Sequence, residues 1–107
     1  MSLRLSILTP EGPVFDQEIA SLVAPGANGR FGVLPGHAPM ICALQPGILR
    51  VEGDSDTFFY VLSGGVAEIT RETATILTET VSKAGDSTDA EVKLDEIRRL
   101  CAPPLQG

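Results

Sequence analysis

Residues 24–39 read Ala-Pro-Gly-Ala-Asn-Gly-Arg-Phe-Gly-Val-Leu-Pro-Gly-His-Ala-Pro and hold four of the chain's eleven glycines and three of its eight prolines. A stretch punctuated so densely cannot propagate a long helix or a central strand. Proline removes a backbone donor, and glycine leaves the chain too free. The stretch is therefore expected to be a shaped connection. Gly26, Gly29, Gly32 and Gly36 permit positive φ or close backbone approach, while Pro25, Pro35 and Pro39 hold Ala24, Leu34 and Ala38 extended. Between them, Phe31-Gly32-Val33-Leu34 is an apolar run that predicts one short strand entering a core and pinning the connection at its middle.

On either side the periodicity is that of strands. Leu3, Leu5 and Ile7 alternate with Arg4 and Ser6, and Thr9-Pro10-Glu11-Gly12 supplies a turn. Residues 14–23 predict a second strand with Phe15, Ile19 and Val23 near one face, and its slipping alternation around Gln17 and Ser21 admits a bulge. Residues 40–44 are continuously apolar between Pro39 and Pro46, the pattern of a strand covered by two layers, with Cys42 an inert core thiol. Residues 48–52 follow, and the tip at Glu52-Gly53-Asp54-Ser55-Asp56 is expected in water. Residues 57–62 carry three of the chain's five aromatic side chains and are expected centrally in a sheet. Ser63-Gly64-Gly65 turns into a strand over 66–70, and Arg71-Glu72 into a last one over 73–80. Short strands at this spacing indicate an all-β sandwich or barrel.

From Ser87 the pattern changes. Thr88 as N-cap, with Asp89 and Glu91 in the first turn, predicts a short helix with Val92, Leu94, Ile97, Leu100 and Cys101 as its apolar stripe. Asp95 stands at helical spacing from Arg98 and Arg99, and Pro103-Pro104 ends the helix. The division expected is a β-sandwich over 1–84 and a short helical tail over 85–107.

Composition narrows the function. A chain of 107 residues fits one domain with its own core. A net charge of −6 and a pI near 4.6 argue against nucleic acid as a partner, since phosphate binding needs clustered Lys and Arg. No apolar run approaches the roughly 20 residues of a membrane span, and the first residues do not read as an export signal, so a soluble, unexported protein is expected. Cys42 and Cys101 lack a second pair for a metal site, and a reduced cytosolic setting follows. The glycine spacing from Gly26 to Gly32 lacks the Lys and Ser/Thr of a phosphate loop. His37, the only histidine, has no nucleophile at a triad spacing and is expected to be structural or interfacial. Asp54, Asp56, Asp86, Asp89 and Glu91 are expected in loops and a helix cap, with no calcium-loop spacing.

Thr9-Pro10-Glu11-Gly12, Phe15-Asp16, Pro25-Gly26, the run Gly32-Val33-Leu34-Pro35-Gly36-His37-Ala38-Pro39, Pro46-Gly47-Ile48-Leu49 and Ser63-Gly64-Gly65 occur in one order across residues 3–82. In order and spacing they resemble the epsilon subunit of rotary F-type ATP synthases. The resemblance implies a flattened β-sandwich of about ten strands and a non-catalytic rotor subunit of the central stalk, coupling proton or sodium flow to ATP synthesis. The implied partners are the gamma subunit, the c ring and, through the complex, the alpha/beta catalytic head. The implied place is peripheral, on the cytoplasmic face of a bacterial inner membrane. Carried onto this chain, Pro25, Gly26, Ala27, Asn28, Gly29 and Arg30 would meet the c ring, and Gly36, His37, Ala38 and Pro39 the gamma subunit.

Two features of the tail bear on regulation. Leu94-Asp95-Glu96-Ile97-Arg98 resembles a stretch with which some family members bind ATP, but Arg99 stands where they carry alanine. An exposed helix with paired charges is the reading taken, and no cofactor is expected. Other readings are a free-standing β-sandwich adaptor or ligand-binding module, and a small hydrolase using His37. Longer family members carry two regulatory helices, whereas the tail here predicts one. At about 1.5 Å per residue a helix over 88–101 reaches only about 20 Å. Removing residues 88–107 is therefore expected to change the ATP hydrolysis rate of an assembled enzyme by less than about twofold. A large rise in hydrolysis on truncation would show that even this short helix acts as a brake.

Overall fold

The apolar alternation at the amino end builds β1 (Leu3–Thr9), whose Leu3, Leu5 and Ile7 are fully buried. The structure, a computed structural model, describes residues 2–101, with side chains as far as Ile97. After β1 come β2 (Gly12–Ile19), β3 (Ser21–Gly26), β4 (Gly29–Val33), β5 (Met40–Leu44), β6 (Gly47–Glu52), β7 (Thr57–Leu62), β8 (Gly65–Ile69), β9 (Thr73–Leu77), β10 (Val81–Ala84) and helix α1 (Ser87–Cys101).

All ten strands belong to one hydrogen-bonded sheet in the order β10-β7-β6-β3-β5-β8-β9-β1-β2, with β4 paired to β3. Pairing is antiparallel except between β1 and β9, which run parallel from Arg4↔Thr73 to Leu8↔Leu77. The sheet curls so that its two halves face each other as a sandwich. One cluster, filled by alternate buried residues from β1 to β9 with Val81 of β10 packed against it, forms the core, and Phe15 on β2 meets Phe58 and Tyr60 on β7 edge-on at 6.0 and 5.6 Å between centroids. The expected all-β sandwich with one carboxyl-terminal helix is the fold observed.

Several elements differ from the sequence reading. The strand expected over 14–23 is two strands broken at Ala20, whose N–H donates to the Glu52 carbonyl at 2.8 Å and carries the chain from the β1 edge to the β6 layer. The bulge lies earlier, where Leu8 pairs with Pro13, Ile7 with Phe15, and Val14 is left between them. The last strand expected over 73–80 ends at Leu77. Buried Thr78 donates its N–H to the Leu8 carbonyl at 3.0 Å, and the chain crosses over so that β10 pairs with β7. β7 is therefore one strand in from the edge. It is nonetheless covered on both sides, with Tyr60 and Leu62 in the main core and Val61 fully buried on the opposite face.

Helix α1 is what covers that opposite face. Ala90 and Leu94 pack with Val61 and Ala84, and Ile48, Phe59 and Ile97 close around them. The cap is Asp86 rather than Thr88: its Oδ1 accepts the Asp89 N–H at 2.7 Å, and Asp89 Oδ2 accepts the Gly85 N–H at 2.9 Å. Lys93 reaches back from the helix to donate to the Lys83 carbonyl at 2.8 Å. Val92, expected in the apolar stripe, is instead 55% exposed. The Asp95 pairings with Arg98 and Arg99, the stripe positions Leu100 and Cys101, and the Pro103-Pro104 stop fall outside the described side chains or residues.

Because the main core draws no side chain from α1, removing residues 85–107 should leave one cooperative thermal transition. Its midpoint should fall, since Val61 would lose its cover and buried aliphatic side chains contribute about 1.5–3 kcal/mol each. A broad, non-cooperative melt of the truncated chain would show that the helix completes the core.

Candidate subunit interface

The first half of the glycine- and proline-rich stretch is a hairpin rather than a loop. β3 and β4 pair from Leu22↔Val33 to Gly26↔Gly29, leaving Ala27 and Asn28 as the turn. Neither turn residue has positive φ, and the reversal is completed at Gly29, with φ of 133°. The short strand ends at buried Val33, and Leu34, expected to enter the core, is 65% exposed.

The hairpin base is held by a different glycine. A Cβ on Gly26 would lie 2.6 Å from the Gly29 carbonyl oxygen and 2.9 Å from Phe31 Cδ1, so only glycine lets the strands close. β5 joins at this point through Gly26↔Leu44, with Ala27 N–H donating to Ala43 O and Gln45 N–H to Pro25 O, each at 2.9 Å. The Gln45 side-chain amide adds a bond to the Gly26 carbonyl at 3.0 Å.

Of the six residues expected at a ring contact, Pro25 and Gly26 are thus buried in the hairpin base, while Ala27, Asn28, Gly29 and Arg30 project as its exposed tip. The tip and β5 enclose an open groove of about 440 Å³ lined by residues 26–31 and 40–43.

The second half of the stretch is a loop docked on the β8–β9 turn. Gly36, at φ 88°, donates its N–H to the Arg71 carbonyl at 2.7 Å, and His37 N–H bonds the Leu34 carbonyl at 3.1 Å. His37 Nδ1 lies 2.7 Å from the Ala38 carbonyl, an acceptor only, so Nδ1 carries the proton. Gly36, Ala38 and Pro39 are exposed and His37 is half-buried.

A third feature was not anticipated from the sequence. The apolar run at β5 is covered on one face only: Leu44 is buried, whereas Ile41 is 73% exposed. Cys42 is likewise half-exposed rather than a core thiol, with Sγ on the Ala43 carbonyl. Register carries the outward face across the sheet through Ala43↔Val66, Val66↔Leu77 and Leu77↔Leu8. Cross-strand partners share a face, so these residues and Ile41 form an apolar row, with Glu68 opposite Ile41. The available signal was that strands β5, β8 and β9 carry apolar residues at both alternating positions.

Chemically, this surface is suited to adhesion. Among the described residues no three His, Cys, Asp or Glu side chains are grouped to hold a metal. Asp16 is held below the usual carboxylate range by its hydrogen bond from Arg4 at 2.8 Å, an exposed pair that ties β1 to β2. Tyr60 is pushed upward by burial and remains a neutral core phenol.

A curled ten-stranded sandwich thus presents three exposed features side by side: a projecting hairpin, a docked loop and an outward apolar row. The sequence model described as ATP synthase, Delta/Epsilon chain, beta-sandwich domain matches residues 2–84, and the chain belongs to that family. It is 42% identical over 81 residues to the ATP synthase epsilon chain of Pelotomaculum thermopropionicum, covering 76% of this chain and 60% of that one. To the ATP synthase epsilon chain of Desulforamulus reducens it is 44% identical over 88 residues, covering 82% and 66%. The chain thus spans roughly six-tenths of the length of these curated relatives. A chain in the Euglena gracilis mitochondrial ATP synthase structure, comprising OSCP, F1 and c ring, superposes with a TM-score of 0.74 at 25% identity, over 98% of this chain and 69% of that one. A chain of the Tetrahymena thermophila mitochondrial ATP synthase central stalk and c ring shares the fold, with a TM-score of 0.70 at 14% identity over 100% and 81%.

His37 is half-buried and its ring bonds only to the adjacent carbonyl, so His37→Ala should change the stability of the isolated chain by less than about 0.5 kcal/mol in denaturant unfolding. A substantially larger loss would make His37 a structural residue instead of an interfacial one.

Proposed function

We propose that this chain is a non-catalytic rotor subunit in the central stalk of a proton- or sodium-translocating F-type ATP synthase, linking the gamma subunit to the c ring. Membership of the Delta/Epsilon family over residues 2–84 is the observation that carries this reading. The free-standing adaptor is the alternative, and recovery of the chain without synthase subunits would favour it.

In this reading the exposed tip of Ala27, Asn28, Gly29 and Arg30, on its buried base of Pro25 and Gly26, rests on the c ring. Gly36, His37, Ala38 and Pro39 meet gamma together with the adjoining apolar row. The alpha/beta head is reached through gamma. The protein would sit peripherally, on the cytoplasmic face of a bacterial membrane; among the described residues no helix is long and apolar enough to cross one.

The mechanism is mechanical. Ion flow turns the c ring, and a body clamped to both ring and gamma passes the torque upward. Such a body must not shear, and a close-packed core across two bonded layers meets that need. Contacts made by short, hydrogen-bonded loops add little compliance at the joints. No residue of this chain takes part in bond making in this scheme.

Affinity capture with this chain as bait should recover gamma and c subunits. Within the complex, Arg30→Ala should weaken coupling only modestly, because an exposed ion pair contributes roughly 0–1 kcal/mol. Deleting Ala27-Asn28-Gly29 should damage it more. Equal proton pumping by the deletion and the parent would remove the hairpin from the interface. Ile41 belongs to the apolar row and also lines the groove beside the tip; because it is exposed, Ile41→Glu should leave folding of the isolated chain unchanged, yet weaken gamma binding at least about tenfold by burying an unpaired charge. Undiminished gamma capture by that variant would place gamma elsewhere.

A further inference from the structure

We propose that Asn28-Gly29, at the tip of the β3–β4 hairpin, is a site of spontaneous deamidation in the folded chain, converting residue 28 to aspartate and isoaspartate with water as the only co-reactant. Asn28 is the chain's single asparagine. It is exposed, and no hydrogen bond holds its carboxamide. Gly29 is exposed as well, and a Cβ built there would meet nothing within 4 Å. No side chain on the following residue therefore hinders approach of the Gly29 nitrogen to Asn28 Cγ.

The tip is also the part of the hairpin that opens with the least loss. Only the Gly26↔Gly29 and Pro25↔Arg30 pairs need loosen for the turn to sample the cyclising geometry, and local openings of this kind lie far below global unfolding in free energy. Arg30 follows directly, and its cation favours the amide anion that attacks.

The step balances. The Gly29 amide nitrogen loses its proton to solvent base and bonds to Asn28 Cγ. The Cγ–Nδ2 bond breaks, and the carboxamide nitrogen leaves as ammonia with a proton from water. A five-membered succinimide remains. Water then adds to one of its two carbonyls. Opening at Cγ restores a normal main chain with a side-chain carboxylate, and opening at the main-chain carbonyl leaves isoaspartate, with an additional methylene in the backbone. No oxidation or reduction occurs.

Either product adds a negative charge beside Arg30, and isoaspartate also lengthens the two-residue turn on which the β3–β4 register depends. The chemistry stands without any partner. Its consequence rests on the rotor reading: a tip seated on a c ring would be covered, so conversion would mark chains that have failed to assemble.

The test incubates the full chain at mildly alkaline pH, folded and in guanidinium, and follows residue 28 by peptide mass mapping and by methyl transfer with an isoaspartyl methyltransferase. Conversion in the folded chain within about tenfold of the unfolded rate, lost in Asn28→Ser, is the expected result. Folded-state conversion slower than the unfolded chain by more than about tenfold would overturn the proposal, because the hairpin would then protect the site. Capture of c subunits by Asn28→Asp is read separately, so failure of the ring contact and failure of the chemistry give different results.

Discussion

The two halves of this sandwich are one sheet because β3 turns a corner. One edge of β3 is occupied by β4 along its length. Its other edge is divided, pairing with β6 at Ser21, Leu22 and Val23 and with β5 at Gly26. A strand can serve two layers only where neighbouring backbones approach without side chains between them. Gly26 lies against the Gly29 carbonyl and the Phe31 ring. Gly47, which opens β6, lies where a Cβ would come within 3.0 Å of the Pro25 ring. The glycines and prolines that rule out a long strand on sequence grounds are thus the residues that make the corner.

From that corner follow both the core and the placement of the exposed hairpin tip. Closing the layers brings Phe15 against Phe58 and Tyr60, and the core side chains of β1 against those of β6 and β7. Each fully buried aliphatic side chain contributes about 1.5–3 kcal/mol relative to exposure, offsetting the entropy of ordering many short strands. The same bonds that join β3 to β5 fix the hairpin's base, so the tip projects from rigid structure. The proposed contact surface and a structural joint are here a few residues apart.

Much of this was legible in the sequence. Leu3, Leu5 and Ile7 announced their strand because one face is buried and the other wet, and Asp54 to Asp56 announced a tip because no apolar residue competes there. The misreadings share a cause. Ala20 and Thr78 are where the chain changes neighbours, and a crossover is set by tertiary hydrogen bonds to Glu52 and Leu8 that leave no local periodicity. Asp86 displaced Thr88 as cap because three adjacent candidates can each accept a first-turn N–H, and docking of Ala90 and Leu94 on Val61 selects among them. Of the candidate site, the residue types were visible, whereas the burial of Pro25 and Gly26 beneath an exposed tip required the register.

The outward apolar row shows why the sequence signal at β5 pointed the wrong way. A continuous run such as Met40-Ile41-Cys42-Ala43-Leu44 states only that both faces avoid water, and the single chain covers one of them. Helix α1 resolves the same problem on the other half by covering Val61. No element of the described chain does so for Ile41, Val66 and Leu77, which stand 73%, 39% and 47% exposed. Carrying three large apolar side chains on one exposed sheet face invites aggregation unless another surface covers them. The two outer faces therefore differ: one is closed within the chain and contributes to its stability, and the other keeps its apolar side chains exposed, which is the physical basis for the gamma contact proposed above.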